Sequence, residues 1–560
     1  MRFPTSATLI ITTLISTTFA TYAPVSTSCP TTSLVRLAAG LSDLEEAYRV
    51  ARKAKADIAL SSWLLKTNPN FETSTEMPTI GLTSSGGGYR ALLIGAGVIQ
   101  ALDGRDSNVS TSGLYQTLTY HSALSGGSWL LSSIMANDFA TISTLVEIWK
   151  PAFVDGLFDP EGNNSAAVFA EINQDIADKT AAGFQGMVAD AWSRLLSLQL
   201  LPGLFPGSNL GVSNTLSHIA GLANFISHDA PYPIITTQNV DITGTSCVPP
   251  ANATVWEFTP FEFGTWDPNV AAFTPTAFLG STLSAGVPIS SNSCITNYDN
   301  LGFVLGTSSS LFNDPGIGVV NAPTPLLSTL CTINSTGTVD ALATLFSENI
   351  LALLTKCPNI EFTSAADLFA TWPNPFFNLS SAPLVSAMES LSMVDGGESG
   401  QINPIFPMLL PERNISVILV NDNDADTAAL YPDGTELRNS FDAAQLAGLT
   451  RMPFIPEVSV LVARNLTFAP VFFGCNDNTT ATIVWIPNSP ATVAGGAMET
   501  AQTQINEMQT DSMITNGVAV MSQNDSAEWA TCLGCAITEE TGSSLPVECT
   551  ACFAQYCFTQ

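Results

Sequence analysis

The chain has 560 residues, with 48 Asp plus Glu against 17 Lys plus Arg, a formal net charge of −31 and a pI near 4.1. Binding nucleic acid needs a basic face that neutralises phosphates, so this balance argues against such a partner. At 46% hydrophobic and only 12% charged residues, the composition excludes a disordered acidic tail and supplies a sizeable core.

In chain order, Met1 and Arg2 precede an apolar run from Ala7 to Ala20 with small residues at Thr18, Ala20 and Ala23. This pattern predicts a secretory signal peptide over 1–20, with a single Arg as its basic region, and a mature chain of 21–560. Nine N-x-Ser/Thr acceptors agree with export: Asn108, Asn163, Asn252, Asn334, Asn378, Asn414, Asn465, Asn478 and Asn524. No later stretch reaches the roughly 20 apolar residues of a membrane span, and the C-terminus lacks an apolar anchor tail, so the mature chain is expected to be released.

Thr32 to Leu65 carries apolar residues at near-helical spacing, among them Leu34, Leu37, Leu41, Leu44, Tyr48 and Ala51, and predicts an N-terminal helix. Pro78 to Thr83 reads as a strand, Ser84 to Gly88 as a glycine turn and Arg90 to Leu102 as a helix. A second unit repeats the order: strand Leu114 to His121, tight turn Ser125 to Gly127, helix Trp129 to Met135. The stretch from about 200 to 330, rich in Pro, Gly, Asn and aromatics, predicts loops and short strands laid over the core as a cap or lid. Val417 to Val420, Val458 to Val462 and Thr482 to Ile486 read as further strands. Eleven cysteines run from Cys29 to Cys557, five of them within 530–560. Their C-x2-C spacing suits zinc in a cytosolic protein, whereas in an exported chain it predicts disulfides, and the odd total leaves one cysteine over.

Ala123, Leu124, Ser125, Gly126 and Gly127, between strand and helix, approach the G-x-S-x-G elbow on which a serine nucleophile sits exposed at a strained turn. An ordinary glycine-rich turn is the competing reading. Gly86, Gly87 and Gly88 supply unobstructed backbone N–H groups at a helix N-terminus, which suits an oxyanion hole. A nucleotide-phosphate loop is disfavoured because neither Gly-Lys-Ser/Thr nor a spaced G-x-G-x-x-G is present. Arg90 follows, able to face an anionic substrate group or to pair with an acid. The base is harder to find, because His121, His218 and His228 are the only histidines. A desolvated carboxylate can take that role, and Asp395, at the end of an apolar strand before Gly396 and Gly397, is the candidate, with a plain turn or calcium loop as alternatives.

Together these segments resemble the fungal lysophospholipase, or phospholipase B, family, whose catalytic domain is related to the cytosolic group IV phospholipases. The likeness rests on Ser85 to Ala91, Leu124 to Trp129, Asp190 to Leu200, Trp256 to Pro268, Gly306 to Asn313, Asp395 to Glu398 and the cysteine-rich end, and runs from about Tyr22 to the terminus. It implies an α/β fold with a central mixed sheet and a nucleophile elbow, a cytosolic-phospholipase or patatin-like hydrolase with loop-rich insertions. It implies a histidine-free dyad with Ser125 as nucleophile and Asp395 as general base. Gly87, Gly88 and Gly126 would form the oxyanion hole, and Arg90 would hold the substrate phosphate. The implied reaction is hydrolysis of acyl esters of lysophospholipids, and of diacyl phospholipids, in micelles or at a membrane surface, through an acyl-enzyme and with no cofactor or metal. Two departures stand out. Ala123 replaces the family glycine, with lowered activity as one consequence, and Ser399, Gly400, Gln401, Ile402, Asn403 and Pro404 stand where relatives carry Asp-Gly-Gln-Asn-Ile-Pro. The rival readings are a serine esterase or acyltransferase on another lipid ester, and a non-catalytic secreted glycoprotein. The acidic surface, whose repulsion of anionic bilayers fades as carboxylates protonate, further predicts better activity at acidic pH.

Overall fold

The computed structural model describes residues 21–559 apart from 74–75, 203–210, 213, 242–247, 315–346, 361–364, 493–494 and 542–543. The expected leader over 1–20, Asn334, Cys247 and Cys331 lie outside the described residues.

A twelve-stranded mixed sheet organises the chain. Its strands are β1 (Arg36–Leu37), β2 (Ile80–Ser84), β3 (Leu118–Ala123), β4 (Tyr232–Val240), β5 (Val255–Phe258), β6 (Glu262–Thr265), β7 (Ala272–Pro275), β8 (Ala370–Pro373), β9 (Ser390–Val394), β10 (Val417–Asp422), β11 (Val471–Phe473) and β12 (Thr482–Pro487). Spatially they run β11, β12, β10, β2, β3, β4, β5, β6, β7, β1. The stretch from β12 to β4 is parallel and the rest antiparallel. β2, β3 and β10 are buried at every position, as expected of parallel strands covered on both faces.

The long strand β4 settles where the site forms. Ile235 pairs with both Ala123 and Phe258, and Gln238 with both Val255 and Val394. β5 therefore occupies one edge of β4, while β3 and β9 share the other and meet with their C-termini facing. The pairing positions are three residues apart, about 10 Å at the rise of a strand. Whatever follows Ala123 and Val394 is thereby brought together.

The covering helices include α1 (Asp43–Thr67), α2 (Gly88–Leu102), α3 (Ser125–Ala136), α4 (Val188–Leu200), α5 (Leu301–Thr307), α6 (Thr435–Leu446), α7 (Val458–Ala463) and α8 (Glu507–Ser522). α1 starts at an Ser42 cap whose hydroxyl accepts from the Glu45 amide. It is anchored to the sheet by Arg413, which bonds Glu45 at 2.8 Å and Glu257 at 2.6 Å, all three side chains buried. α2 and α8 cross at Gly97 and Gly517, where a Cβ on Gly97 would stand 2.0 Å from the Ile514 carbonyl, so only glycine permits the approach.

Within the stretch expected as a cap, the described segments 232–240, 255–258, 262–265 and 272–275 are the sheet strands β4 to β7. Two further expectations are corrected. Thr32 to Leu65 is helical only from Asp43, because Arg36 and Leu37 pair with β7. Val458 to Val462 is the helix α7 and not a strand, because Leu461 alone is buried and a single inward side chain suits a docked helix.

Disulfides join Cys29 to Cys294, Cys475 to Cys557, Cys532 to Cys552 and Cys535 to Cys549, while the Cys357 thiol is buried and unpaired among the described residues. The C-terminal C-x2-C motifs are thus cross-linked to each other, which removes them as zinc ligands.

Candidate active site

Only Leu124 separates β3 from α3, and Ser125 turns the corner at φ +48°, a left-handed conformation that costs a non-glycine residue of order 1 kcal/mol or more. The next two residues must be glycine. A Cβ on Gly126 would stand 2.1 Å from the Gly88 carbonyl, and one on Gly127 would stand 2.3 Å from the Ser84 carbonyl. Ala123, by contrast, is an ordinary buried strand residue paired with Ser84 and Ile235, so its methyl group meets no demand of the turn.

The same contact between Gly126 and Gly88 brings the glycine loop to the elbow. Gly87 and Gly88 have φ +125° and +59°, where a side chain is strained. Gly88 opens α2 and Gly126 lies in the first turn of α3, where amides have no partner inside the helix. The loop is held from the far side. Gly86 donates to the Ile402 carbonyl at 3.1 Å, and Ser85 Oγ accepts from the Asn423 amide at 2.7 Å. Ile402, in the segment that departs from the family pattern, therefore supports the glycine loop directly.

Asp395 follows β9, 3% exposed, with Oδ1 accepting from the Gly397 amide at 2.7 Å and Oδ2 buried without a partner. Burial pushes its carboxyl up to about 6. The Ser125 hydroxyl leads the groups that oppose this rise. Ser125 is 5% exposed. The strand pairing thus joins the serine and the carboxyl that the sequence left 270 residues apart.

Glu398, present in the sequence reading only as the end of the Asp395 segment, is a neighbour with a buried carboxyl. Its Oε1 accepts from Asn313 Nδ2 at 2.6 Å, and burial, then the nearby Asp314 and Asp395, push it well above the usual carboxylate range. No signal short of the fold identifies it, since Asn313 reaches it from the end of another segment.

The histidines lie elsewhere. His121 is fully buried, with Nε2 2.9 Å from Ser84 Oγ, and burial lowers it to about 3. His218 is exposed, and the His228 ring packs on Tyr48. Arg90 is also completely buried. Its Nε donates to the Asn423 carbonyl at 2.7 Å, Nη1 to the Met498 carbonyl at 2.5 Å and Nη2 to Thr500 Oγ1 at 3.1 Å, with Asp424 at 4.0 Å. Each of its three nitrogens thus has a partner in the protein, and the side chain lies against Gly87. Asp424, Asp426 and Glu436 gather beyond it, and burial raises Glu436 to about 8. A cavity of about 280 Å³ beside Trp266, Phe406 and Leu446 has neither Ser125 nor Asp395 in its lining.

A mixed sheet flanked by helices sets the class as α/β, with a strained serine where strand turns into helix, the position of a nucleophile elbow. The family model described as the lysophospholipase catalytic domain matches residues 80–560. Lysophospholipase 1 of Aspergillus fumigatus is 36% identical over 96% of this chain and 87% of its own. The lysophospholipase of Penicillium chrysogenum is 34% identical over 96% of this chain and 90% of its own. Human GIVD cytosolic phospholipase A2 superposes with a TM-score of 0.66 at 16% identity, covering 92% of this chain and 72% of its own, a likeness of fold. The chain belongs to the lysophospholipase catalytic-domain family and is an enzyme that hydrolyses lipid esters.

Proposed function

We propose that the protein is a secreted, glycosylated lysophospholipase that removes fatty acyl groups from lysophospholipids, and from diacyl phospholipids, by a Ser125–Asp395 dyad without histidine. The observation that carries this reading is the meeting of β3 and β9 on one edge of β4, which sets a buried, unsatisfied carboxyl beside a left-handed serine. Asp395 takes the Ser125 proton as the hydroxyl attacks the ester carbonyl. The Gly87, Gly88 and Gly126 amides stabilise the oxyanion, a contribution of several kcal/mol in comparable sites. Collapse expels the lysolipid or glycerophospho alcohol, protonated by Asp395, and leaves an acyl-serine. Asp395 then activates water to release the fatty acid. Trp129, a turn beyond Ser125, meets Trp192 edge-on, and Trp192 meets Phe312 edge-on; we take these rings as the apolar wall for the acyl chain. Arg90 acts as a brace under the glycine loop.

Export is supported by the leader pattern, by four disulfides, and by the exposure of all eight described glycosylation acceptors. No described helix is long and apolar enough to cross a membrane. The mature chain 21–560 is then one catalytic domain that meets its substrate in micelles or at a membrane surface. The test is fatty-acid release by the secreted protein from lysophosphatidylcholine and from a triacylglycerol emulsion. The reading expects turnover of the first to exceed that of the second. Preference for the triacylglycerol would replace it with a lipase.

A further inference from the structure

The segment Gly306 to Asn313 has no chemistry of its own in the mechanism above, yet its turn touches both halves of the dyad. The Ser125 amide donates to the Ser308 carbonyl at 3.0 Å and to Ser308 Oγ at 3.1 Å. The same Ser308 carbonyl accepts from the Gly396 amide at 3.3 Å, and the Ser310 carbonyl accepts from the Asp395 amide at 3.0 Å. Ser308 Oγ in turn donates to the Thr236 carbonyl of β4 at 2.7 Å, and its side chain is fully buried. One residue therefore bonds the strained serine, the residue after the catalytic carboxyl, and the strand that aligns the two.

The turn is itself fixed from behind. A Cβ on Gly302 would stand 2.0 Å from Ser197 Oγ, and one on Gly306 would stand 2.0 Å from Ser193 Oγ, so α5 lies directly against α4. Trp192 Nε1 then donates to Ser309 Oγ at 3.1 Å, locking the end of α5 to α4. Such a support acts on geometry: reacting groups displaced by about 1 Å lose on the order of 100-fold in rate.

Building on the dyad reading, we propose that Ser308 is a positioning residue, its hydroxyl and carbonyl setting the distance between Ser125 and Asp395. Ser308→Ala removes the hydroxyl that bridges the Ser125 amide to β4, and leaves the peptide carbonyl in place. The experiment measures covalent labelling of Ser125 by a long-chain fluorophosphonate, the KM and kcat on lysophosphatidylcholine, and the melting temperature. The samples are wild type, Ser125→Ala, Ser308→Ala, Ser308→Thr, Ser308→Cys, and Ser132→Ala, whose buried hydroxyl on α3 has no partner.

The expected result is a Ser308→Ala labelling rate and kcat lowered about 10- to 100-fold at unchanged KM, recovery toward wild type in Ser308→Thr, and wild-type rates in Ser132→Ala. Equal labelling and kcat in wild type and Ser308→Ala would overturn the proposal. If Ser308→Ala fails to fold, Ser308→Cys, which keeps the volume but carries only a weak S–H donor, decides: labelling and kcat lowered at unchanged KM support the proposal, and wild-type values overturn it. A wild type that takes no label at Ser125 overturns the dyad reading, and this proposal with it.

Discussion

Replacing Gly126 by Ala tests the contact on which the proposed oxyanion hole depends. The new methyl carbon would stand 2.1 Å from the Gly88 carbonyl oxygen and 2.7 Å from its nitrogen, where ordinary contact begins at 3.4 Å. Relief needs a separation of about 3.4 − 2.1 = 1.3 Å between the elbow and the glycine loop, and neither side offers a flexible side chain that can yield, since both are backbone. A misplacement of about 1 Å costs on the order of 100-fold, and loss of one oxyanion donor costs about 100- to 1,000-fold, or about 3–4 kcal/mol of transition-state stabilisation. Stability should fall by only about 1–3 kcal/mol, the usual cost of an overpacked site. The assay is the initial rate of fatty-acid release at saturating lysophosphatidylcholine, with folding followed by thermal melting. Gly221→Ala, whose Cβ meets nothing within 4 Å, serves as the control and should be unaffected. A folded Gly126→Ala enzyme within twofold of wild type would refute the close packing of loop and elbow as the basis of catalysis.

Two pH effects follow from the buried carboxyls. As a general base held at about 6, Asp395 must be ionised in the free enzyme, so kcat/KM on neutral micelles should rise through pH 6 and level off above it. An activity limb near pH 4 would contradict that assignment. The better activity at acidic pH expected from surface charge is opposed by this base below about pH 6, and a profile on neutral micelles that still rises above pH 7 would contradict that expectation. Stability should run the other way. Asp395 and Asp422 at about 6 and Glu436 at about 8 lie above their ordinary values in the folded chain, so the fold gains from protons that the unfolded chain binds less tightly. That contribution is complete below about pH 4 and is lost progressively as pH rises from there to about 8. Buried neutral His121, lowered to about 3, opposes this up to about pH 6.5, but one group against three leaves the melting temperature falling between pH 5 and pH 8.5, and a rise over that interval would refute these proton affinities.

The parts of the fold that read directly from sequence are those whose cause is local. Each of the two strand–glycine–helix units is marked by an apolar run, glycines at the turn and helical spacing after it, and both form, with α2 starting two residues earlier than expected and α3 at Ser125 itself. The strand after Gly113 begins at Leu118 and not Leu114, because that glycine at φ +108° opens a short 3-10 turn first. The β-branched run at Val458 to Val462 misleads because propensity yields to docking of Leu461. The region 200–330 hid sheet strands because β5, β6 and β7 are four residues each, too short to show alternation among prolines and glycines.

The site followed the same division. Ser125 and the glycine loop carry their geometry in their residue types. Asp395 was suggested by its place after a strand, but its approach to Ser125 depends on the register of β4 over long range. Arg90 was expected to hold phosphate, and its burial and its bonds to two distant segments, at Asn423 and at Met498 to Thr500, are decided by tertiary packing. Ser308 was invisible as a participant because half of what it supplies is a backbone carbonyl.

The central claim is that Ser125 and Asp395 suffice as nucleophile and base. Fatty-acid release from lysophosphatidylcholine should be compared for wild type, Ser125→Ala, Asp395→Asn, and a combined His121→Gln, His218→Ala, His228→Ala variant, with melting curves for each. The account predicts turnover lost in the first two variants and retained by the histidine variant, because His121 is turned to Ser84 and the other two stand away from the elbow. Turnover retained by folded Ser125→Ala or Asp395→Asn, or abolished in a folded histidine variant, would contradict it.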